Sequence, residues 1–326
     1  NYPRGSKELL SPFHRFMCGD TMEWFEAHGV SLKTEPDGRV FPASNSSESV
    51  VNCFLNEIKK HYIELFTQQN VQALSPTPEG WEITTPNSTY KAHNVVIATG
   101  SNPKIWQLLA NLGHTIISPV PSLFTFNTAT QWAKELSGIA VNASVRLLSQ
   151  DGKSLKIAET APILFTHNGF SGPAVLRASA WGARVLAECN YQCLMEVNFT
   201  AHNNEALTYD ETLLLLQDYK QHNGRKSMQN LALFDLPKRL WNALLDSAGI
   251  APAQSWAELN KSQLRHLAEI LTQCRFPIEG KATFKDEFVT AGGVKLSEIN
   301  FKTYESKLHP HLYLAGEVLD IDAITG

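Results

Sequence analysis

The chain has 326 residues, of which 43% are hydrophobic and 18% charged, and it carries a formal net charge of −4. That composition excludes disordered and fibrous classes, and with no long Lys/Arg run it lacks the electrostatic footprint of a protein that grips nucleic acid or an anionic membrane. The length is about twice that of a usual domain, so a main domain with at least one insertion is expected.

The five cysteines, Cys18, Cys53, Cys189, Cys193 and Cys274, are dispersed and lack paired CxxC spacing. They predict a reducing, cytoplasmic setting and no zinc site. No apolar stretch reaches the roughly 20 residues that cross a bilayer, and the opening Asn1-Tyr2-Pro3-Arg4-Gly5 has no signal-peptide character. Both ends read as cut.

In chain order, Thr21 to His28 is amphipathic and stops at Gly29, as helices often do. A second helix is expected from Ser47, as N-cap, to Lys60, with Val50, Val51, Phe54, Leu55 and Ile58 on one stripe. Strands are expected at Tyr62 to Phe66 and Val71 to Leu74. Pro76 to Gly80 reads as a hairpin turn into Trp81-Glu82-Ile83-Thr84. Asn94 to Gly100 is nearly all apolar and ends in Thr99-Gly100, which predicts a parallel-sheet strand buried on both faces.

From about 115 to 200 the period becomes two. Val141, Ala143, Val145 and Leu147 alternate with Asn142, Ser144 and Arg146, and Asp151-Gly152 turns the chain into Ser154 to Ala158. Cys193, Met195, Val197 and Phe199 repeat the alternation against Leu194, Glu196 and Asn198. These predict a small antiparallel β-domain. From 205 to 272 the period is helical. Leu240, Trp241, Leu244 and Leu245 form one stripe, and Leu264, Leu267, Ile270 and Leu271 another, with Asn260 and Gln263 as a capping box. Leu213 to Leu216 is expected in the core of this helical insert. Strand pattern returns at Phe288 to Val294 and at His311 to Glu317.

A dinucleotide lying across strand ends needs apolar strands that finish in small residues, so that backbone can approach the ligand. Ile97-Ala98-Thr99-Gly100 has that form. Leu312-Tyr313-Leu314-Ala315-Gly316-Glu317 adds a carboxylate that can accept hydrogen bonds from sugar-like hydroxyls. The plainer readings are a common βα turn for the first and a helix-capping glutamate for the second.

Those two segments, joined by Phe288-Val289-Thr290-Ala291-Gly292-Gly293-Val294, resemble the BaiN-like, aminoacetone-oxidase-type family of NAD(P)/FAD-dependent oxidoreductases. Gly38-Arg39-Val40-Phe41-Pro42, Phe165 to Pro173 and Leu236-Pro237-Lys238-Arg239-Leu240 agree with that family's segments in its order. The resemblance implies an α/β fold: an incomplete Rossmann-like FAD/NAD(P)-binding domain (1-115 and 285-326), an antiparallel β-barrel-like insert (116-204 and 273-284) and a small helical insert within it (205-272). It implies FAD as cofactor, with NAD(P)H as a candidate reductant, and a small-molecule substrate. Val71, Ala98, Thr99, Gly100, Gly316, Glu317, Asp320, Thr325 and Gly326 are the implied cofactor residues. Family members begin with a strand, a GxGxxG turn and a helix that this sequence does not contain. The expectation is therefore weak or no FAD binding, and no activity, for the chain alone.

His167 and Arg39 are the weak candidates for catalysis, as a proton donor and a carboxylate or phosphate binder, although a histidine that bonds backbone and an arginine on a surface loop are the commoner readings. Ser171 in Gly169-Phe170-Ser171-Gly172-Pro173 departs from the G-x-S-x-G elbow and is expected to cap the helix that Pro173 opens. A serine hydrolase using Ser171, His167 and Asp151 is the alternative enzyme, and a non-catalytic module the alternative outside enzymes. His309-Pro310-His311 has no partner cluster of metal-ligand spacing, so no metal is expected.

Overall fold

A computed structural model describes residues 1–35, 38–203, 205–230, 232–282 and 289–324. The chain divides into two units, one made of Gly5–Ser118 and Gly292–Ile321, the other of Asn1–Arg4, Pro119–Ala291 and Asp322–Gly326.

The first unit is α/β. Its central sheet runs in the order Ile299–Asn300, Glu305–Ser306, Leu312–Leu314, Val95–Ile97, and the last two strands are parallel, with Leu312 opposite Val95 and Leu314 opposite Ile97. Beside it stands a meander of Ala73–Thr77, Gly80–Thr84 and Thr89–Ala92, anchored where the Trp81 indole donates to the Pro310 carbonyl at 3.2 Å. Helices Leu10–Arg15, Cys18–Ala27, Ser47–Lys60 and Pro103–Asn111 and the hairpin of Leu32–Thr34 with Val40–Pro42 also belong to it, and Gly29, at φ 84°, follows the Cys18–Ala27 helix as expected.

Several expectations are corrected here. The N-cap of the second helix is Ser46, whose hydroxyl accepts from the Glu48 amide, and Ser47 is already helical. Only Cys53 of that helix is buried, while Val51, Phe54 and Leu55 of the predicted apolar stripe are exposed. Tyr62 to Phe66 is not a strand: Tyr62 has φ 53° and is 93% exposed. A strand forms only where its N–H and C=O groups find a neighbour, and among the described residues none pairs with this segment. The strand expected from Val71 starts at Ala73 and runs to Thr77, so the turn shrinks to Pro78-Glu79. Val96 is 66% exposed, because Val95–Ile97 is the edge of its sheet and one face is uncovered.

The second unit is a closed antiparallel barrel in the order Ser154–Phe165, Gly169–Ser171, Phe126–Thr128, Cys274–Lys281, Cys193–Asn198, Ala140–Leu148. The alternation of Val141, Ala143, Val145 and Leu147 points those four side chains inward. They meet Ile163, Met195 and Val197, and the ring pairs Phe165/Phe170 and Phe170/Phe276 at 5.2 and 4.7 Å. Helices Tyr209–Asn223, Lys238–Ser247 and Lys261–Thr272 bury Leu240, Trp241, Leu244, Leu245, Leu264, Leu267 and Leu271 in the same core, and the Asn260/Gln263 capping box is formed. Leu216 is buried as expected, but Leu214 is 66% exposed, since consecutive helical residues cannot share one face. Glu196, expected to point to solvent, is only 4% exposed: its carboxylate lies under Arg146 and Arg275 from the two neighbouring strands.

Candidate functional site

The sheet places side by side the two ends that the sequence marks. Ala315 donates from its amide to the Ile97 carbonyl at 3.0 Å, so the chain leaves both parallel strands at the same level. Immediately beyond, Gly100 and Gly316 both take left-handed backbone, at φ 64° and 78°. A Cβ built on either would meet nothing within 4 Å, so open space lies against both turns. Ala98, Thr99, Gly316 and Glu317 are exposed there. The Ser101 hydroxyl donates to the Glu317 carboxylate at 3.3 Å and ties the two turns together.

Each turn is held from behind. Asn102 accepts from the Lys104 and Ile105 amides at 3.0 and 3.4 Å, and with Pro103 in the first turn it starts the Pro103–Asn111 helix directly after Gly100. The Trp106 indole of that helix reaches the Val318 carbonyl at 2.8 Å. Val294 donates to Val318 and Asp320 donates back to Val294, at 2.9 and 3.0 Å. Gly293 makes this possible: a Cβ there would stand 2.6 Å from the Val318 carbonyl oxygen. Asn102 and Trp106 were not singled out in the sequence, although Asn-Pro after a strand is a readable helix start. Ser101 had no local signal.

Of the remaining sequence candidates, Val71 is half-buried just before the meander, and Asp320 stands in the loop held by Val294. Thr325 and Gly326, like Phe288, lie outside the described residues. Arg39 is exposed in the Val40–Pro42 hairpin with its guanidinium 5.5 Å from the Phe41 ring, in the same unit as the paired turns. His167 is exposed in the turn between Ser154–Phe165 and Gly169–Ser171, in the barrel unit. Ser171 does not cap the next helix: Gly172 occupies the N-cap with φ 91°, and a Cβ there would meet the Leu164 amide and the Pro162 carbonyl oxygen at 2.9 Å. Asp151 sits in the turn at the far end of the Ser154–Phe165 strand from His167. At about 3.3 Å per residue the strand separates them by roughly 36 Å, so the serine, histidine and aspartate do not assemble.

A different serine, histidine and carboxylate do meet. The His114 ring bonds the Glu298 carboxylate through Nδ1 at 2.9 Å and the Ser306 hydroxyl through Nε2 at 3.1 Å. Ser306 Oγ also accepts from the Leu308 and His309 amides at 3.0 and 3.1 Å. Both of its lone pairs are therefore engaged and it is buried, which makes the trio a brace rather than a nucleophilic relay. Burial pushes the Glu298 carboxyl up, but bonds from Thr115 and His114 outweigh it and hold the group below its ordinary range. Nothing in local sequence announces contacts between residues nearly two hundred positions apart.

Paired parallel strand ends with left-handed glycines form the ligand edge of a Rossmann-type sheet. The model of the HI0933-like protein Rossmann domain matches residues 1–326. The chain belongs to that family. It is 26% identical over 323 residues to the 3-dehydro-bile acid delta(4,6)-reductase of Clostridium scindens, covering 96% of this chain and 76% of that protein. It is also 25% identical to the ribosomal RNA dihydrouridine synthase of Escherichia coli, covering 97% and 76%, and 24% identical to that of Haemophilus influenzae, covering 98% and 77%. The family is one of Rossmann domains, and the first of these relatives is named a reductase.

Proposed function

We propose that the protein is a FAD-dependent reductase that saturates a carbon–carbon double bond in a small organic substrate. The observation that carries the reading is the parallel pairing of Leu312–Leu314 with Val95–Ile97, which brings Gly100, Gly316 and the Glu317 carboxylate to one open edge. The residues fit a dinucleotide: bare backbone at two adjoining turns admits a close ligand, and an exposed carboxylate accepts from hydroxyls. The names of the bile acid and dihydrouridine relatives both describe saturation of a double bond, which favours that reaction class over others open to flavoproteins.

When bound, FAD supplies the hydride chemistry that no side chain can. Glu317 would hold the ribityl side by accepting hydroxyl hydrogen bonds, with Ser101 fixing the carboxylate's direction. Thr99 and Gly100 would pass along the dinucleotide, Val71 would meet the adenine, and Asp320 would stand toward the flavin ring. NAD(P)H is the candidate reductant. A uracil base in RNA is the second reading of the substrate, favoured by the two dihydrouridine synthases.

The test is FAD titration, read by quenching of flavin fluorescence, on the protein joined to the strand–GxGxxG–helix unit with which the family begins, and on its Glu317→Ala and Gly316→Val variants. Loss of charge-assisted bonds of about 1.5–3 kcal/mol predicts FAD affinity about 10- to 150-fold weaker for Glu317→Ala. Gly316→Val should weaken it as well, because a β-branched residue is strained at φ 78°. FAD affinity unchanged by both substitutions would sink the assignment.

A further inference from the structure

The helical insert carries a groove of about 660 Å³ between helices Tyr209–Asn223 and Lys261–Thr272 that the flavin reading does not use. Sequence spacing builds both walls. Gln217, Lys220, Gln221 and Gly224 stand at i, i+3, i+4 and i+7 and therefore share one face, while Lys261, Leu264 and Arg265 repeat i, i+3 and i+4 on the facing helix. Small residues close one end. The Ala257 amide donates to the Gly224 carbonyl at 2.9 Å, and a Cβ on Gly224 would stand 3.3 Å from that of Ala257.

Among the described residues, the lining holds three cations, Lys220, Lys261 and Arg265, and no carboxylate. The Lys220 ammonium donates to the Leu259 carbonyl, a neutral acceptor that fixes the head group and leaves its charge uncompensated. Lys261 and Arg265 are exposed, and none of the three forms an ion pair with a described carboxylate. The acids of the surrounding elements do not serve the groove. Glu211 and Glu258 accept from the amides and hydroxyls of Thr208 and Ser255 as helix caps, Asp218 faces His222 at 3.3 Å, and Asp210 and Glu269 are outside the lining. Positive charge is thus gathered in a concave place on a chain whose net charge is −4, beside two carboxamides that can donate as well. Ammonium and guanidinium groups converging in this way suit the oxygens of a phosphate. The lining has no aromatic ring on which a base could stack, so what the groove recognises is the anion itself.

We propose that this groove is a binding site for a small phosphate-type anion, whose oxygens accept from Lys220, Lys261 and Arg265. The site lies within one unit and rests on no part of the flavin assignment.

The experiment titrates the full chain by calorimetry with pyrophosphate, with inorganic phosphate, with malonate as a carboxylate dianion, and with an oligouridylate. The variants are Lys261→Gln/Arg265→Gln and, as a control, Lys156→Gln/Lys238→Gln, which removes the same charge from exposed positions elsewhere on the unit. Pyrophosphate should bind with a Kd of about 1 mM or tighter, and about tenfold or more weaker to the first variant. Its binding should fall with added salt and stay within about twofold for the control. Should the first variant melt at a lower temperature than the native chain, Lys261→Gln and Arg265→Gln are compared singly. Failure of both phosphate and pyrophosphate to bind would overturn the proposal, as would equal losses in the two variants. Malonate binding as tightly as phosphate would overturn it too, since any anion would then serve, and so would binding of the oligouridylate alone, which would make the groove a nucleic-acid surface.

Discussion

Arg4 and Asp322, 318 positions apart, tie residues at the two extremes of the chain into the barrel unit. Both Nε and Nη2 of Arg4 donate to the carboxylate, and Ser122 adds a bond to the same group at 2.8 Å. The Asp322 side chain has no exposure and that of Arg4 has 14%. Arg4→Met would leave a buried carboxylate with one neutral donor. Breaking a buried pair from one side costs about 3–5 kcal/mol, whereas removing both charges is often close to neutral. At 2–4 °C per kcal/mol for a unit of this size, the single variant should lose about 6–20 °C of melting temperature. The double variant Arg4→Met/Asp322→Asn keeps an acceptor for Ser122 and leaves no charge, so it should recover at least half of that loss. Thermal and urea unfolding followed by tryptophan fluorescence reads both, since Trp132, Trp181, Trp241 and Trp256 belong to this unit. A double variant as unstable as the sum of the two single variants would refute the reasoning, because it would mean that the two charges do not compensate one another.

Three further outcomes are expected. Gly293→Ala should destabilise the α/β unit by at least about 2 kcal/mol, since φ is 134° and the nearest atoms to the new Cβ are backbone at 2.6–2.7 Å; limited proteolysis at Val318–Leu319 should report it. Because the Glu298 carboxyl is held below its ordinary value when folded, its contribution to stability is present above about pH 4.5 and is lost as pH falls through the lower folded value. A melting profile against pH should flatten in that acid window for Glu298→Gln, and an unchanged profile would count against the brace. Burial, joined at Cys193 by the neighbouring Cys189, pushes the Cys193 and Cys274 thiols up to about 12. Neither should react with a thiol reagent at pH 8 until denaturant is added, while exposed Cys18 should react at once.

Where each side chain met one uniform environment, the sequence was sufficient. The period of two in Val141 to Leu147 and the stripes at Leu240 and Leu264 name their buried faces correctly, because barrel interior and helix core each demand a single repeat. The strands that stop before Gly100 and Gly316 were legible as well, since apolar runs ending in small residues mark the parallel strands of an α/β sheet. Tertiary structure decided whatever depends on a distant partner. Tyr62 to Phe66 has strand composition but no neighbour to bond, and Val96 is apolar yet sits on an uncovered edge. Glu196 reads as a surface residue but is roofed by Arg146 and Arg275, which only strand register brings over it. The bond from Ser101 to Glu317 and the trio of His114, Glu298 and Ser306 likewise join segments between about 180 and 220 positions apart, and no local periodicity encodes such a meeting.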